Sequence, residues 1–167
     1  MNDLEVKTYD IQNAYLNAPF LEKIWTTLGS EFGPNLAGKK ALVVRALYGL
    51  KYACALFRNN LEECMRNLGY SLCLEDPDLW FKEEKRKSEG TKYYAYLLLY
   101  VDDYLLIHHS VDKSLYELDH LFKMQPGSIG YPNMYLVAKL RKLVSENGVE
   151  EWITGASKYV QEAVSNS

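Results

Sequence analysis

Hydrophobic positions along the chain follow two rhythms. Between Ala53 and Leu68, the residues Phe57, Leu61, Cys64, Met65 and Leu68 recur at helical spacing, while Arg58, Glu62, Glu63, Arg66 and Asn67 take the other face. That pattern predicts an amphipathic helix, and Gly69 is placed to stop it. A second helix is predicted after Ser110, a residue type that caps helices well. Val111, Leu115, Leu118 and Phe122 share its face, and Pro126, Gly127 and Gly130 end the segment. Shorter runs of β-compatible residues predict strands at Leu4–Ile11, Lys23–Leu28, Ala41–Ala46, Tyr93–Val101, Tyr104–His108, Met134–Val144 and Glu150–Ile153. The last two flank Asn147–Gly148, a dipeptide that favours a tight hairpin. A terminal helix is expected over Ser157–Val164, and the charged stretch Lys82–Lys92 reads as a solvated loop.

With the short strands set aside, the order is β-α-β-β-α-β, the split βαβ pattern of an α+β, ferredoxin-like fold. In that fold the first and third strands are central antiparallel neighbours. The turn between the second and third strands then lies beside the end of the first. Asp10 ends the first strand, and Asp102 and Asp103 occupy that turn. Three carboxylates far apart in sequence are thereby expected at one edge of the sheet.

Composition narrows the class without naming a function. Of the 167 residues 48% are hydrophobic and 25% charged, which excludes a largely disordered or collagen-like chain. Tyr93–Val101 is the longest apolar run, far short of the ~20 residues that cross a bilayer, so no membrane partner is expected. Met1 is followed at once by Asn2, Asp3 and Glu5 rather than by a basic and then apolar leader. The three cysteines, Cys54, Cys64 and Cys73, form no close metal-type pair. An intracellular, cytoplasmic protein with reduced thiols is the expectation. Net charge is −3, so the whole molecule does not advertise nucleic-acid binding.

Gathered carboxylates repel one another unless a cation compensates. Mg²⁺ suits such a site because it prefers carboxylate oxygen and takes further ligands from water and substrate phosphates. Two such ions support in-line phosphoryl displacement. Asp–Asp at a hairpin tip is also ordinary turn chemistry. The flanks Tyr93–Val101 and Tyr104–Ile107 are so apolar that both faces are expected to be buried, which embeds this turn in a core.

Several boxes in one order then carry a family resemblance. Tyr100-Val101-Asp102-Asp103 resembles the YxDD box of reverse transcriptases, and Asp10–Asn17 (DIQNAYLN) is similar to the segment holding their first metal-binding Asp. Arg45–Lys51 (RALYGLK) resembles the LYGLK box of the copia-type retrotransposon enzyme. Asp76-Pro77-Asp78-Leu79-Trp80, Tyr135-Leu136 and Ser157-Lys158-Tyr159-Val160 follow in that family's order.

The resemblance implies the palm region of an RNA-directed DNA polymerase of a long-terminal-repeat retroelement, spanning residues 1–167. The upstream fingers, a complete thumb and ribonuclease H are expected to be absent. It implies Asp10, Asp102 and Asp103 as catalytic ligands of two Mg²⁺ ions, or Mn²⁺, with Ile11 lending a backbone carbonyl. Tyr15 would pack under the incoming sugar and exclude a 2′-hydroxyl. Tyr48, Gly49 and Lys51 would meet the incoming nucleotide, and Leu136 the primer strand. The implied partners are an RNA or DNA template–primer, deoxynucleoside triphosphates and the remaining polyprotein domains of an intact, particle-forming element. Tyr52, Cys54 and Val137 depart from the family, which has small or polar residues at the first two positions and Gly at the third. Independently of the resemblance, no acidic residue lies between Phe32 and Leu61, where Lys39, Lys40, Arg45, Lys51 and Arg58 occur. That stretch is the candidate for phosphate contact. A polymerase fragment not competent alone is the leading expectation; a non-catalytic α+β module that binds nucleic acid or a partner is the other.

Overall fold

The structure is a computed structural model that describes residues 4–20, 22–86, 90–132, 134–136, 138–148 and 150–155. In chain order its strands and α-helices are β1 (Glu5–Asp10), β2 (Trp25–Thr27), β3 (Lys40–Leu42), α1 (Ala53–Asn67), β4 (Ser71–Leu72), β5 (Leu79–Lys85), β6 (Lys92–Tyr100), β7 (Asp103–His108), α2 (Val111–Asp119), β8 (Met134–Tyr135), β9 (Ala138–Val144) and β10 (Glu150–Gly155). The expected helix Ser157–Val164, the Ser157–Val160 box and Val137 lie outside the described residues. The chain forms two compact units. One comprises Met1–Gln12 with Arg66–Ser167, and the other Asn13–Met65.

The first unit is built on a five-stranded sheet of order β1-β7-β6-β5-β4, antiparallel throughout. Alternation along β6 sets its core. Tyr93, Ala95, Leu97 and Leu99 are buried, and the register aligns them with Leu106 and Tyr104 of β7 and Trp80 of β5. Tyr9 of β1 sits opposite Tyr104, their rings 4.8 Å apart. Burying each such side chain contributes about 1.5–3 kcal/mol. Helix α2 packs on β1 and β7 and turns Val111, Leu115 and Leu118 inward.

The first and third expected strands are antiparallel neighbours, as β1 and β7. Four other expectations are corrected. Met134–Val144 does not run beside β1; it breaks at Leu136, whose φ of +54° a ladder cannot carry, and joins β10 in a separate sheet of order β10-β9-β8. The free edge of β1 is bonded instead by an irregular segment, residues 123–130. Lys82–Lys85 is strand rather than loop, because its charges pair with one another and across the ladder: Lys82 with Glu84 at 2.9 Å, Glu83 with Lys92 at 2.8 Å. The second face of β6 is not buried, since Tyr94 and Tyr100 keep about half their surface in solvent. Counting tyrosine as simply apolar hid the alternation. Lastly, β9 and β10 are not joined by a two-residue turn at Asn147–Gly148: the ladder closes at Val144↔Glu150, and the Gly148 N–H donates to the Ser145 carbonyl at 2.8 Å.

The second unit holds the β2–β3 ladder, both shorter than expected, the 3₁₀ turn Ala14–Asn17 and α1 up to Met65. The Ala46 N–H donates to the Ala18 carbonyl and the Phe20 N–H to the Val44 carbonyl. Phe57, Leu61 and Met65, spaced by four, are the buried stripe of α1.

Candidate carboxylate site

The register of β1 against β7 places Asp10 opposite Asp103. Parity then decides how the side chains meet. The Ile11 N–H donates to the Asp102 carbonyl at 3.0 Å, so residues 11 and 102 form a hydrogen-bonded pair. Asp10 points its own N–H and C=O away from β7, to the Ser128 hydroxyl (3.0 Å) and from the Gln125 N–H (2.9 Å). Asp10 and Asp103 are therefore a non-hydrogen-bonded pair, the class in which Cα atoms approach to about 4.5 Å and side chains are closest.

The charge of one carboxyl is felt at the other. Asp103 is pushed above the ordinary carboxylate range, first by burial, then by the negative charges of Asp10 and Asp102, and also by a hydrogen bond with Asp10. A neighbourhood that disfavours the ionised form is one that a cation would relieve. On these donors, Asp10 and Asp103 suit a divalent ion that favours carboxylate oxygen. Asp102, next in the chain, adds its negative charge to that of Asp10 at Asp103. Among the described residues no group of three or more His, Cys, Asp or Glu side chains is arranged to hold a metal.

The hairpin that presents the pair is strained at one point. The register Tyr100↔Asp103 leaves Val101 and Asp102 as a two-residue turn, and Val101 has φ +55°. Glycine ordinarily occupies a left-handed first position of such a turn, and a β-branched residue there is an outlier. Strain of this kind persists where the surroundings over-determine the backbone. Here those surroundings are ladders on both flanks of β7 and the Asp102 carbonyl bond.

Two further groups lie near the pair, one named in the sequence only as part of a box and the other not as a site at all. The Tyr135 phenol is held well above its ordinary value by burial and then by the charges of Asp103, Asp78 and Asp76. Of the Tyr135-Leu136 box, the structure thus sets Tyr135 in the field of the acidic site, while Leu136 is exposed. The other group is the Gln125–Ser128 turn, whose only trace in the sequence is Pro126–Gly127.

The remaining candidates belong to the second unit, apart from Ile11, which is buried beside Asp10. Tyr15 packs on Tyr48 (ring centroids 4.5 Å) and edge-on to Phe57 (6.0 Å), so the two tyrosines form one aromatic cluster. Tyr48 is 58% exposed, and Gly49 follows at φ +88° with open space around its α-carbon. The Lys51 ammonium lies 5.4 Å over the Tyr52 ring. Lys39, Lys40 and Arg45 are exposed; Lys40 donates to the Thr27 hydroxyl at 2.7 Å, and Arg45 reaches the Asn17 carbonyl at 3.4 Å. Arg58 instead pairs with Glu62 one helical turn on, at 3.4 Å. His108 is buried, with its Nδ1 accepting the Ser110 N–H at 2.7 Å, and His120 is exposed.

Searched against protein-family models and curated proteins, the chain gives no match. No helix among the described residues is long and apolar enough to cross a membrane.

Proposed function

We propose that the chain carries the palm of a copia-type reverse transcriptase, an RNA-directed DNA polymerase in which Asp10, Asp102 and Asp103 serve nucleotidyl transfer to a primer 3′-hydroxyl. The single observation that supports the reading most is the Asp10–Asp103 carboxyl pair, with Asp102 bonded through its carbonyl to Ile11 beside it. Asp10 and Asp103, 93 positions apart in the chain, are brought opposite each other by the β1–β7 ladder. A bound pair of Mg²⁺ ions would activate the attacking hydroxyl and stabilise the leaving oxygen. The chain's own part is to hold oxygen donors on two paired strands, where ladder hydrogen bonds fix their spacing. In the same reading Tyr15, braced by Tyr48 and Phe57, is the wall that leaves no room for a 2′-hydroxyl, and Lys39, Lys40, Arg45 and Lys51 meet backbone phosphates.

Primer extension on poly(rA)·oligo(dT) with Mg²⁺ or Mn²⁺, beside Asp102→Asn/Asp103→Asn, tests this. Incorporation by the natural chain that the double variant lacks is the expected result. The reading falls if the natural chain neither extends the primer nor binds Mn²⁺ at these carboxylates. A second reading draws on the exposed cations Lys39, Lys40 and Arg45. A non-catalytic module of this fold would bind primer–template in a salt-sensitive way without extension.

A further inference from the structure

We infer that Ser128 is a positioning residue for the carboxylate pair, acting through the backbone of Asp10; the inference rests on the proposed metal-binding role of Asp10 and Asp103. A strand at the edge of a sheet is fixed on one side only. The last residue of β1 is fixed on both, although β1 is the end strand of the sheet among the described residues.

The bonds alternate along β1 as they would in a true ladder. Thr8 exchanges two hydrogen bonds with Gly130, 3.0 Å and 3.1 Å. Two residues on, Asp10 gives its N–H to the Ser128 hydroxyl and receives the Gln125 N–H. Two further on, the Gln12 N–H donates to the Lys123 carbonyl at 2.8 Å. At the Asp10 position alone, a side chain substitutes for the acceptor that a backbone would supply.

Local sequence builds that substitute. The Ser128 N–H donates to the Gln125 carbonyl at 3.1 Å, closing a four-residue turn with Pro126 and Gly127 at its centre. Gly127 has φ +78°. Pro followed by a left-handed Gly is the pattern of a type II turn. The turn folds back so that its first residue offers an N–H and its fourth a hydroxyl to the two main-chain groups of Asp10. Phe122 and Met124, both buried, anchor the approach to it. Asp10 is thus clamped between β7 and this turn, which limits how far its carboxyl can retreat from the like charge of Asp103. An unclamped strand end would relax the repulsion by fraying, and a metal would then have to draw the two donors together again.

A pair of variants of matching shape separates the hydroxyl from added bulk. Ser128→Thr keeps the hydroxyl and Ser128→Val, nearly equal in volume to Ser128→Thr, does not. Mn²⁺ affinity, read from the electron paramagnetic resonance signal of free Mn²⁺ in titrations of the whole chain, is expected to fall about tenfold in Ser128→Val, the low end of the effect of removing groups that orient metal ligands. Ser128→Thr is expected to match the natural chain. The melting temperature without metal is followed in parallel, and so is exchange of the Asp10 amide hydrogen, which should quicken in Ser128→Val and not in Ser128→Thr. Ser128→Ala serves as the hydroxyl-free arm if the valine variant does not fold. A lowered melting temperature with unchanged Mn²⁺ affinity would mean a merely structural role and overturn the inference, as would equal Asp10 exchange in all variants. Failure of the natural chain to bind Mn²⁺ would instead remove the metal-site reading itself, so the two failures are distinct.

Discussion

Asp10 and Asp103 face each other across the β1–β7 ladder at a non-hydrogen-bonded position, and burial together with the charge of Asp10 holds the Asp103 carboxyl above its ordinary range. The raised affinity of Asp103 for its proton has a thermodynamic consequence. Because its folded value lies above its unfolded one, the group contributes stability at acid pH, and this is lost as pH rises through the carboxylate range. At neutral pH without cation the ionised pair weakens the fold. Asp103→Asn is therefore expected to raise the metal-free melting temperature by about 1–2 °C, a figure discounted for solvent screening. The variant should also lose the stabilisation that Mn²⁺ gives the natural chain, since a ligand bound only to the native state raises its stability. Thermal melts with and without Mn²⁺ at pH 5 and pH 7.5 measure both effects.

Val101 makes the opposite kind of demand on the hairpin. Its left-handed backbone costs about 1–2 kcal/mol, and glycine would relieve this while giving back about 0.5–1 kcal/mol in chain entropy. Val101→Gly is expected to stabilise the chain slightly, by about 0.5 kcal/mol in urea denaturation, and to reduce metal-dependent activity because a looser turn spaces Asp102 and Asp103 less rigidly.

His108 sets a separate pH dependence. Burial first, with Lys82 and Lys113 also acting in that direction and Glu84 and Glu117 opposing, lowers its affinity for a proton below the ordinary value of 6.5. The unfolded chain then binds more protons than the folded one just below pH 6.5, so stability falls as pH drops through that window. Urea midpoints at pH 7 and pH 5 should differ less in His108→Gln than in the natural chain.

The cations of the second unit are not equivalent. Lys39 and Lys40 stand exposed on or beside β3, whereas Arg58 spends its charge on Glu62. If primer–template binds this stretch, Lys39→Ala/Lys40→Ala should flatten the dependence of log affinity on log salt by about two phosphate contacts, and Arg58→Ala should leave it nearly unchanged. Fluorescence anisotropy across a salt series separates the two.

What the sequence discloses here depends on how far each signal is local. The pairing of β1 with β7 and the meeting of Asp10 with Asp103 follow from element order and period alone, so they were legible. So was α1, whose stripe Phe57, Leu61 and Met65 repeats every four residues. Residues 82–85 were not, because Lys and Glu favour loops until a partner strand supplies opposite charges and ladder hydrogen bonds. Nor was the replacement of the fourth strand. That outcome hangs on Leu136 turning left-handed and on a serine hydroxyl standing in for a backbone carbonyl, neither of which leaves a periodic trace.

The clamp on β1 also bears on self-association. An open strand border offers its amides to any passing copy and so invites stacking into ribbons. At the border beside the carboxylates, residues 123–130 already occupy that row at Thr8, Asp10 and Gln12. At the opposite border, the two-residue β4 covers only Trp80 and Phe81 of β5, and the strand beyond them carries the charges of Lys82, Glu83, Glu84 and Lys85. Charged side chains on a border strand discourage a second copy from pairing there, so the two margins are guarded by different means.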